Sequence, residues 1–152
     1  MAAASYHRIV PSTDSSPLHL VQSFANTAGT GPETDLLNTR EQATTWLRSV
    51  GLLPAGTGLT NSEHAALLRL RDALRDVLVA RAARREDAEA AGRLTKALAE
   101  GRLVVTVDPA ATVRLASAAR SIYPRAVAAI ATAIADSAAD GNWARLNLVA
   151  GS

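Results

Sequence analysis

The chain lacks cysteine altogether, and its 152 residues include only three histidines. Without cysteine, disulfide bonds and thiolate metal sites are excluded. No histidine has a second histidine or a glutamate at the spacing of a helical metal-binding motif. The nucleophile-elbow and phosphate-loop patterns are also missing from the sequence. We therefore expect no metal and no cofactor, and the sequence assigns no catalytic residue.

The chain also has few aromatic residues and no block of charge. Its five aromatics leave alanine and leucine to supply most of the 48% apolar content, which suits close helix–helix packing. The formal charge of +2 is spread over alternating acids and bases, which argues against nucleic-acid binding through this chain alone. No apolar run approaches the roughly 20 residues of a membrane-spanning helix. The N-terminus also lacks the pattern of a secretory signal, so we expect no membrane association and a cytoplasmic location.

Helical periodicity dominates the sequence. Two capping boxes, Thr39 with Gln42 and Thr60 with Glu63, each begin an amphipathic pattern. Gly51 follows the first pattern at the position of a left-handed helix cap. These signals predict a mainly α, single helical domain of about five helices with one small β-hairpin. We expect the helices over 18–27, 39–50, 60–84, 86–100 and 122–138.

The hairpin is predicted where the composition changes to β-branched residues. The segment 102–107 ends at Asp108 and Pro109, a turn signal, and 112–115 returns as the second strand. Outside the helical domain, which we place at 18–147, the residues 1–17 have the composition of a flexible segment. Residues 148–152 form a short C-terminal tail.

Two arginines in the third predicted helix fall on its apolar side. On a helical wheel Arg71 and Arg75 lie about 40° and about 80° from Leu67, inside an arc bounded by leucines. A guanidinium there needs an anion or an acceptor, because a buried unpaired charge is costly. One interpretation is structural, with an ion pair to Asp35 or with capping of backbone carbonyl groups. The other is that the two guanidinium groups bind the carboxylate or phosphate of a small molecule.

Three further residues are candidates for the same ligand site. Asn26 and Thr27 follow an apolar stretch, where such residues usually cap a helix or form a turn. A buried Asn amide can also donate to and accept from a ligand. Trp46 lies on the apolar face of its helix, either in the core or with its indole N–H at the rim of a pocket.

Four short motifs in the first half of the chain follow one another in a characteristic order. They resemble those of the N-terminal ABATE-type domain of the bacterial CGNR zinc-finger proteins, which are assigned as stress-induced transcription regulators. The resemblance implies a helical domain followed by a cysteine-rich finger that binds nucleic acid, and segment 143–147 resembles the approach to that finger. This cysteine-free chain would then be the helical part without the zinc finger. The motifs are LVQSFANTAG at 20–29, Asp35-Leu36-Leu37, Trp46-Leu47 with Gly51-Leu52-Leu53, and LRDALR at 70–75.

Two functions of different classes fit these observations. The first is a small-molecule-sensing or scaffold domain of a bacterial stress-type transcription regulator that lacks its own DNA-binding finger. Its ligand, an anionic small molecule, would bind near Asn26, Arg71 and Arg75. The alternative is a free-standing enzyme of secondary metabolism that uses the same pocket for a small metabolite, as an isomerase, cyclase or hydrolase.

The last predicted helix suggests self-association. Tyr123 and Ile130 belong to one apolar face, which is enough to pack the helix on the core. Ala128 and Ala131 belong to a second face, with Ala135 one turn further on. That face either allows a second copy to approach closely or is buried because the helix is central. We expect a homodimer through this face or through the apolar 146–150 segment.

Overall fold

The computed structural model describes residues 16–146 and residue 148. The flexible segment predicted for 1–17 therefore lies outside the described residues except for its last two, and the 148–152 tail is described only at Leu148. The described chain has five α-helices and one antiparallel hairpin, which confirms the predicted mainly α class. In chain order they are α1 (Pro17–Ala25), α2 (Arg40–Ser49), α3 (Asn61–Ala82), α4 (Ala88–Ala99), β1 (Leu103–Val107), β2 (Val113–Ser117) and α5 (Ile122–Ala139).

Helices α2 and α3 begin where the capping boxes predict. The Thr39 hydroxyl accepts the Gln42 N–H while the Gln42 side chain accepts the Thr39 N–H, and Thr60 with Glu63 makes the same pair of bonds. Gly51, just after α2, has the predicted left-handed backbone with φ of +81°. Helix α3 ends at Ala82 rather than at the predicted residue 84. The reason is local, because Arg84 has a φ of +57°, outside the helical region.

The hairpin turns at Asp108 as predicted. The Asp108 carboxylate accepts the N–H groups of Ala110 and Thr112, both at 2.9 Å, and so replaces backbone partners inside the turn. Strand β2 extends to Ser117, two residues beyond the predicted 112–115. At the base of the hairpin the Ser117 hydroxyl donates to the Gly101 carbonyl at 2.7 Å.

Helix α5 is the centre of the domain. It packs against α1, α4 and β2. Tyr123 and Ile130 are buried as predicted, and Val127 between them is buried as well. Its alanine face is mostly covered by the chain itself, since Ala128 and Ala131 are 5% and 8% exposed. This outcome matches the expectation of a central helix, so a face through which we expected a homodimer is largely unavailable. The homodimer itself stays a prediction.

The end of the described chain is tied to the end of α3. The Arg81 guanidinium donates to the carbonyl groups of both Trp143 and Leu146. The same guanidinium lies 5.9 Å from the centroid of the Trp143 ring. Leu146 is itself buried in the core, so the segment after α5 packs as part of the domain. None of the described helices has the length and apolar character needed to cross a membrane.

Candidate functional site

The first of the two arginines in α3 forms the predicted ion pair. The Arg71 Nη1 and Nη2 atoms donate to the two carboxylate oxygens of Asp35 at 2.7 and 3.1 Å, and Nε donates to Asp72 at 3.3 Å. Arg71 is 5% exposed. Asp35 also accepts the Leu37 N–H at 2.8 Å. This bidentate pair therefore fastens the loop between α1 and α2 to the side of α3.

The second arginine caps a helix. Arg75 Nη1 donates to the carbonyl oxygen of Ala25, the last residue of α1. That carbonyl belongs to the group that a helix end leaves without an intrahelical partner. Both guanidinium groups thus have the structural partners that the first interpretation predicts. An anion at either one would have to displace Asp35 or the Ala25 carbonyl, and ligand binding by Arg71 and Arg75 stays a prediction.

Asn26 and Thr27 shape the end of α1. Asn26 is the C-cap residue, and its N–H donates to carbonyl groups of the last turn. The Thr27 hydroxyl, which is buried, donates to the Phe24 carbonyl at 2.7 Å. The Thr27 carbonyl in turn accepts the Leu36 N–H at 2.8 Å. The capping and turn roles expected of this pair are therefore present, and a role in ligand binding is untested.

Trp46 belongs mainly to the core. It is 9% exposed, and its ring centroid lies 5.8 Å from that of Phe24 at an interplanar angle of 31°. This tilted arrangement is a favourable one for two aromatic rings. Trp46 also contributes to the wall of a cleft of about 350 Å³, together with Leu36 and Ser49.

A larger cleft lies elsewhere among the described residues, where the start of α1, the end of α2 and the middle of α5 meet. We call this the central cleft; its volume is about 660 Å³. Its walls combine apolar side chains with hydroxyl groups, an imidazole and a carboxylate. The residues that line it are Ser16, Pro17, His19, Leu20, Ser23, Ser49, Val50, Ala129, Thr132, Ala133 and Asp136.

Two smaller clefts adjoin the central cleft. One, of about 410 Å³, shares Ser16, His19 and Ser23 with it and reaches Asn26. The other, of about 370 Å³, shares Ala129 and reaches Arg125. Of the five site residues predicted from the sequence, Asn26 thus lines a cleft that borders the central one. Trp46 lines the cleft of about 350 Å³, which shares Ser49 with the central cleft. Arg71, Arg75 and Thr27 serve contacts within the fold.

The sequence did not lead us to the polar residues of the central cleft. His19 and Ser23 lie one turn apart on α1, and Thr132 and Asp136 lie one turn apart on α5. That spacing places each pair on one helix face, which was a usable signal on two mainly apolar helices. The Ser23 hydroxyl is 3.2 Å from His19 Nε2. The signal could not show that the two pairs share one cleft, because more than 100 residues separate them.

Two groups with displaced pKa values, Tyr123 and Asp87, lie outside the central cleft. Burial raises the pKa of Tyr123, and the nearby Glu100 carboxylate adds to the rise. The Ala90 N–H, which donates to Asp87 at the start of α4, lowers the pKa of Asp87. Within the described residues no group of three or more acidic or histidine side chains is placed to hold a metal ion.

Comparison with known proteins gives one match. The model of the ABATE family, described as "Putative stress-induced transcription regulator", matches residues 18–141. The match spans all five helices and the hairpin, apart from the first residue of α1. No curated protein and no solved structure matches the chain.

Proposed function

Since this chain belongs to the ABATE family of stress-induced transcription regulators, we propose that it is the small-molecule-sensing domain of a bacterial regulator and that its ligand binds in the central cleft. The observation that carries the proposal is the cleft itself. Its volume of about 660 Å³ lies within the range of small-molecule sites, which are typically apolar with a few polar groups.

The chemistry of the cleft indicates which ligands fit. Hydroxyl groups of Ser23 and Thr132 offer both donors and acceptors, and the Ser49 hydroxyl, which donates to the Trp46 carbonyl, offers an acceptor. Asp136 offers an acceptor for a donor or cation. Arg125, in the adjoining cleft, is the position at which an anionic group would be held, because Arg71 and Arg75 already have partners. We therefore propose a polar small molecule that places an anionic group toward Arg125.

The proposal is tested by thermal unfolding of the purified chain against a library of small metabolites that includes an anionic set. A specific ligand at 100 times its dissociation constant should add about 2.7 kcal/mol to the free energy of unfolding. Ala129→Trp should abolish that shift, because residue 129 lies where the central cleft meets the one that contains Arg125. Ala91→Trp is the matched control, since Ala91 is exposed on α4, and it should preserve the shift.

Two results would contradict the sensing proposal. One is a library in which no compound moves the melting temperature. The other is an equal shift in Ala129→Trp and in the unmodified chain, which would place the ligand outside the central cleft.

A second candidate, a small-metabolite hydrolase, rests on the 3.2 Å contact between Ser23 Oγ and His19 Nε2 in the same cleft. A serine within hydrogen-bond reach of an imidazole is the starting arrangement for nucleophilic catalysis. Mass spectrometry of the library compounds after incubation separates the two functions. A sensor returns its ligand unchanged, whereas a hydrolase converts it.

A further inference from the structure

The hairpin presents an apolar face that the described chain does not cover. In the antiparallel register Val105 pairs with Leu115 and Val107 with Val113, so these four side chains project from one side of the sheet. Their exposed fractions are 64% and 63% for Val105 and Val107, and 65% and 43% for Val113 and Leu115. We call these four residues the arm face.

The hairpin projects from the domain and is attached mainly at its base. Among the strand residues only the first and the last, Leu103 and Ser117, are partly covered, and the Ser117 hydroxyl bonds β2 to the Gly101 carbonyl of the body. A two-stranded hairpin by itself is marginally stable in water, and added strands against an apolar face stabilise it. A partner surface packed against the arm face would therefore stabilise the hairpin.

We propose that the arm face is the contact surface between two copies of this chain, with the two hairpins packed face to face. A second copy supplies a partner of the same length and chemistry, namely two five-residue strands with the same four aliphatic side chains. None of the four carries a charge, so the copies approach without repulsion. Two such layers pack about 10 Å apart, as the sheets of a β-sandwich do.

The composition of the arm face favours a protein surface over other partners. Arg114 pairs with Thr106 in the register and so projects from the opposite side of the sheet. The arm face thus lacks the cations that contact phosphates and the aromatic residues typical of membrane interfaces.

The area of the arm face sets the expected strength. Four half-exposed or more exposed aliphatic side chains present on the order of 400 Å² per copy, as much as the largest apolar patch of a typical monomer. Two copies together bury on the order of 800 Å², below the roughly 1,200 Å² of a stable complex. We therefore expect a weak, reversible dimer that forms only at high protein concentration.

Sedimentation velocity of the full chain from about 5 µM to about 1 mM tests the proposal. The mass should rise with concentration from 15.8 kDa toward twice that value. Val113→Glu places two carboxylates in the contact and should weaken the dimer by more than about tenfold. Thr106→Glu, on the opposite side of β1, is the matched control and should leave the dissociation constant unchanged.

Cross-linking tests the same contact between copies in case Val113→Glu alters folding. Because the chain has no cysteine, Val105→Cys introduces a single thiol at the arm face. A short bifunctional maleimide should join two copies of Val105→Cys and should leave Thr106→Cys monomeric. A chain that stays at the monomer mass up to about 1 mM would overturn the proposal. So would a dimer that Val113→Glu does not weaken, or equal cross-linking of the two cysteine variants.

Discussion

Arg71 stabilises the domain through its ion pair with Asp35, whose carboxylate is mostly shielded from water. The side chains of Arg71 and Asp35 are 6% and 15% exposed. In contrast, Arg93 and Asp76 make a pair of similar length, 2.9 Å, with side chains 48% and 54% exposed. A comparison of the two pairs therefore shows how much burial adds to the contribution of an ion pair to the free energy of unfolding.

We expect Arg71→Met to lower the free energy of unfolding by about 3 kcal/mol, because it leaves the mostly buried Asp35 carboxylate without its partner. Adding Asp35→Asn should restore part of the loss, since the amide is uncharged and its oxygen still accepts the Leu37 N–H. Arg93→Met should change the free energy by less than about 1 kcal/mol. Urea unfolding measures all three. A loss in Arg71→Met as small as that in Arg93→Met would contradict the role assigned to the buried pair.

Tyr123 makes stability depend on pH at the alkaline end. Its folded pKa is raised above the ordinary value of 10.0 by burial, so the native state keeps the phenol proton at pH values where the unfolded chain loses it. The stability due to the neutral phenol is complete below pH 10 and declines above it, by up to about 1.4 kcal/mol per pH unit. Tyr123→Phe should flatten this decline between about pH 10 and 12 in urea titrations. Parallel pH profiles for the two proteins would count against it.

At the scale of elements, the approach of two segments depends on a missing side chain. A Cβ atom at Gly101 would lie 2.7 Å from the backbone nitrogen of Ala128 and 2.8 Å from its Cα, and both atoms belong to helix α5. Helix backbone cannot yield as the tip of a flexible side chain can. Gly101 thus sets how closely the end of α4 and the start of the hairpin lie against α5.

Gly101→Ala should therefore destabilise the chain by about 1–3 kcal/mol, as overpacking does. Gly92, within α4, gives a control with the opposite expected sign, because its Cβ would meet nothing within 4 Å. Gly92→Ala should stabilise the chain by about 0.5–1 kcal/mol through helix propensity. The measurement is again urea unfolding, and equal effects of the two substitutions would show that the close approach at Gly101 has no energetic weight.

Local chemistry explains which elements the sequence predicts well. The capping boxes at Thr39 and Thr60 and the turn at Asp108 each involve residues within four positions of one another, and all three are confirmed. The end of α3 is predicted less well, since Arg84 is a non-glycine residue with a positive φ. Whether the alanine face of α5 was buried or free also depended on neighbours far away in the sequence.

At the scale of the whole molecule, the sequence predicts the environment of a residue better than its partner. Helical periodicity was enough to place Arg71 and Arg75 toward the apolar interior. It left open whether a ligand or the protein supplies the acceptors, and the fold provides Asp35 and the Ala25 carbonyl. Periodicity could not predict the central cleft, because the cleft forms only where the start of α1, the end of α2 and the middle of α5 meet.

The hydrogen bonds from Arg81 connect the orientation of helix α3 to the position of residues 143–146. Helix α3 has 22 residues and is therefore about 33 Å long, with Thr60 at one end and Arg81 near the other. The two carbonyl groups that accept from Arg81 link residues 143–146 to that far end. A rotation of α3 by about 5° around its start would displace them by about 3 Å. A small tilt of α3 about Thr60 would thus become a larger displacement of residues 143–146.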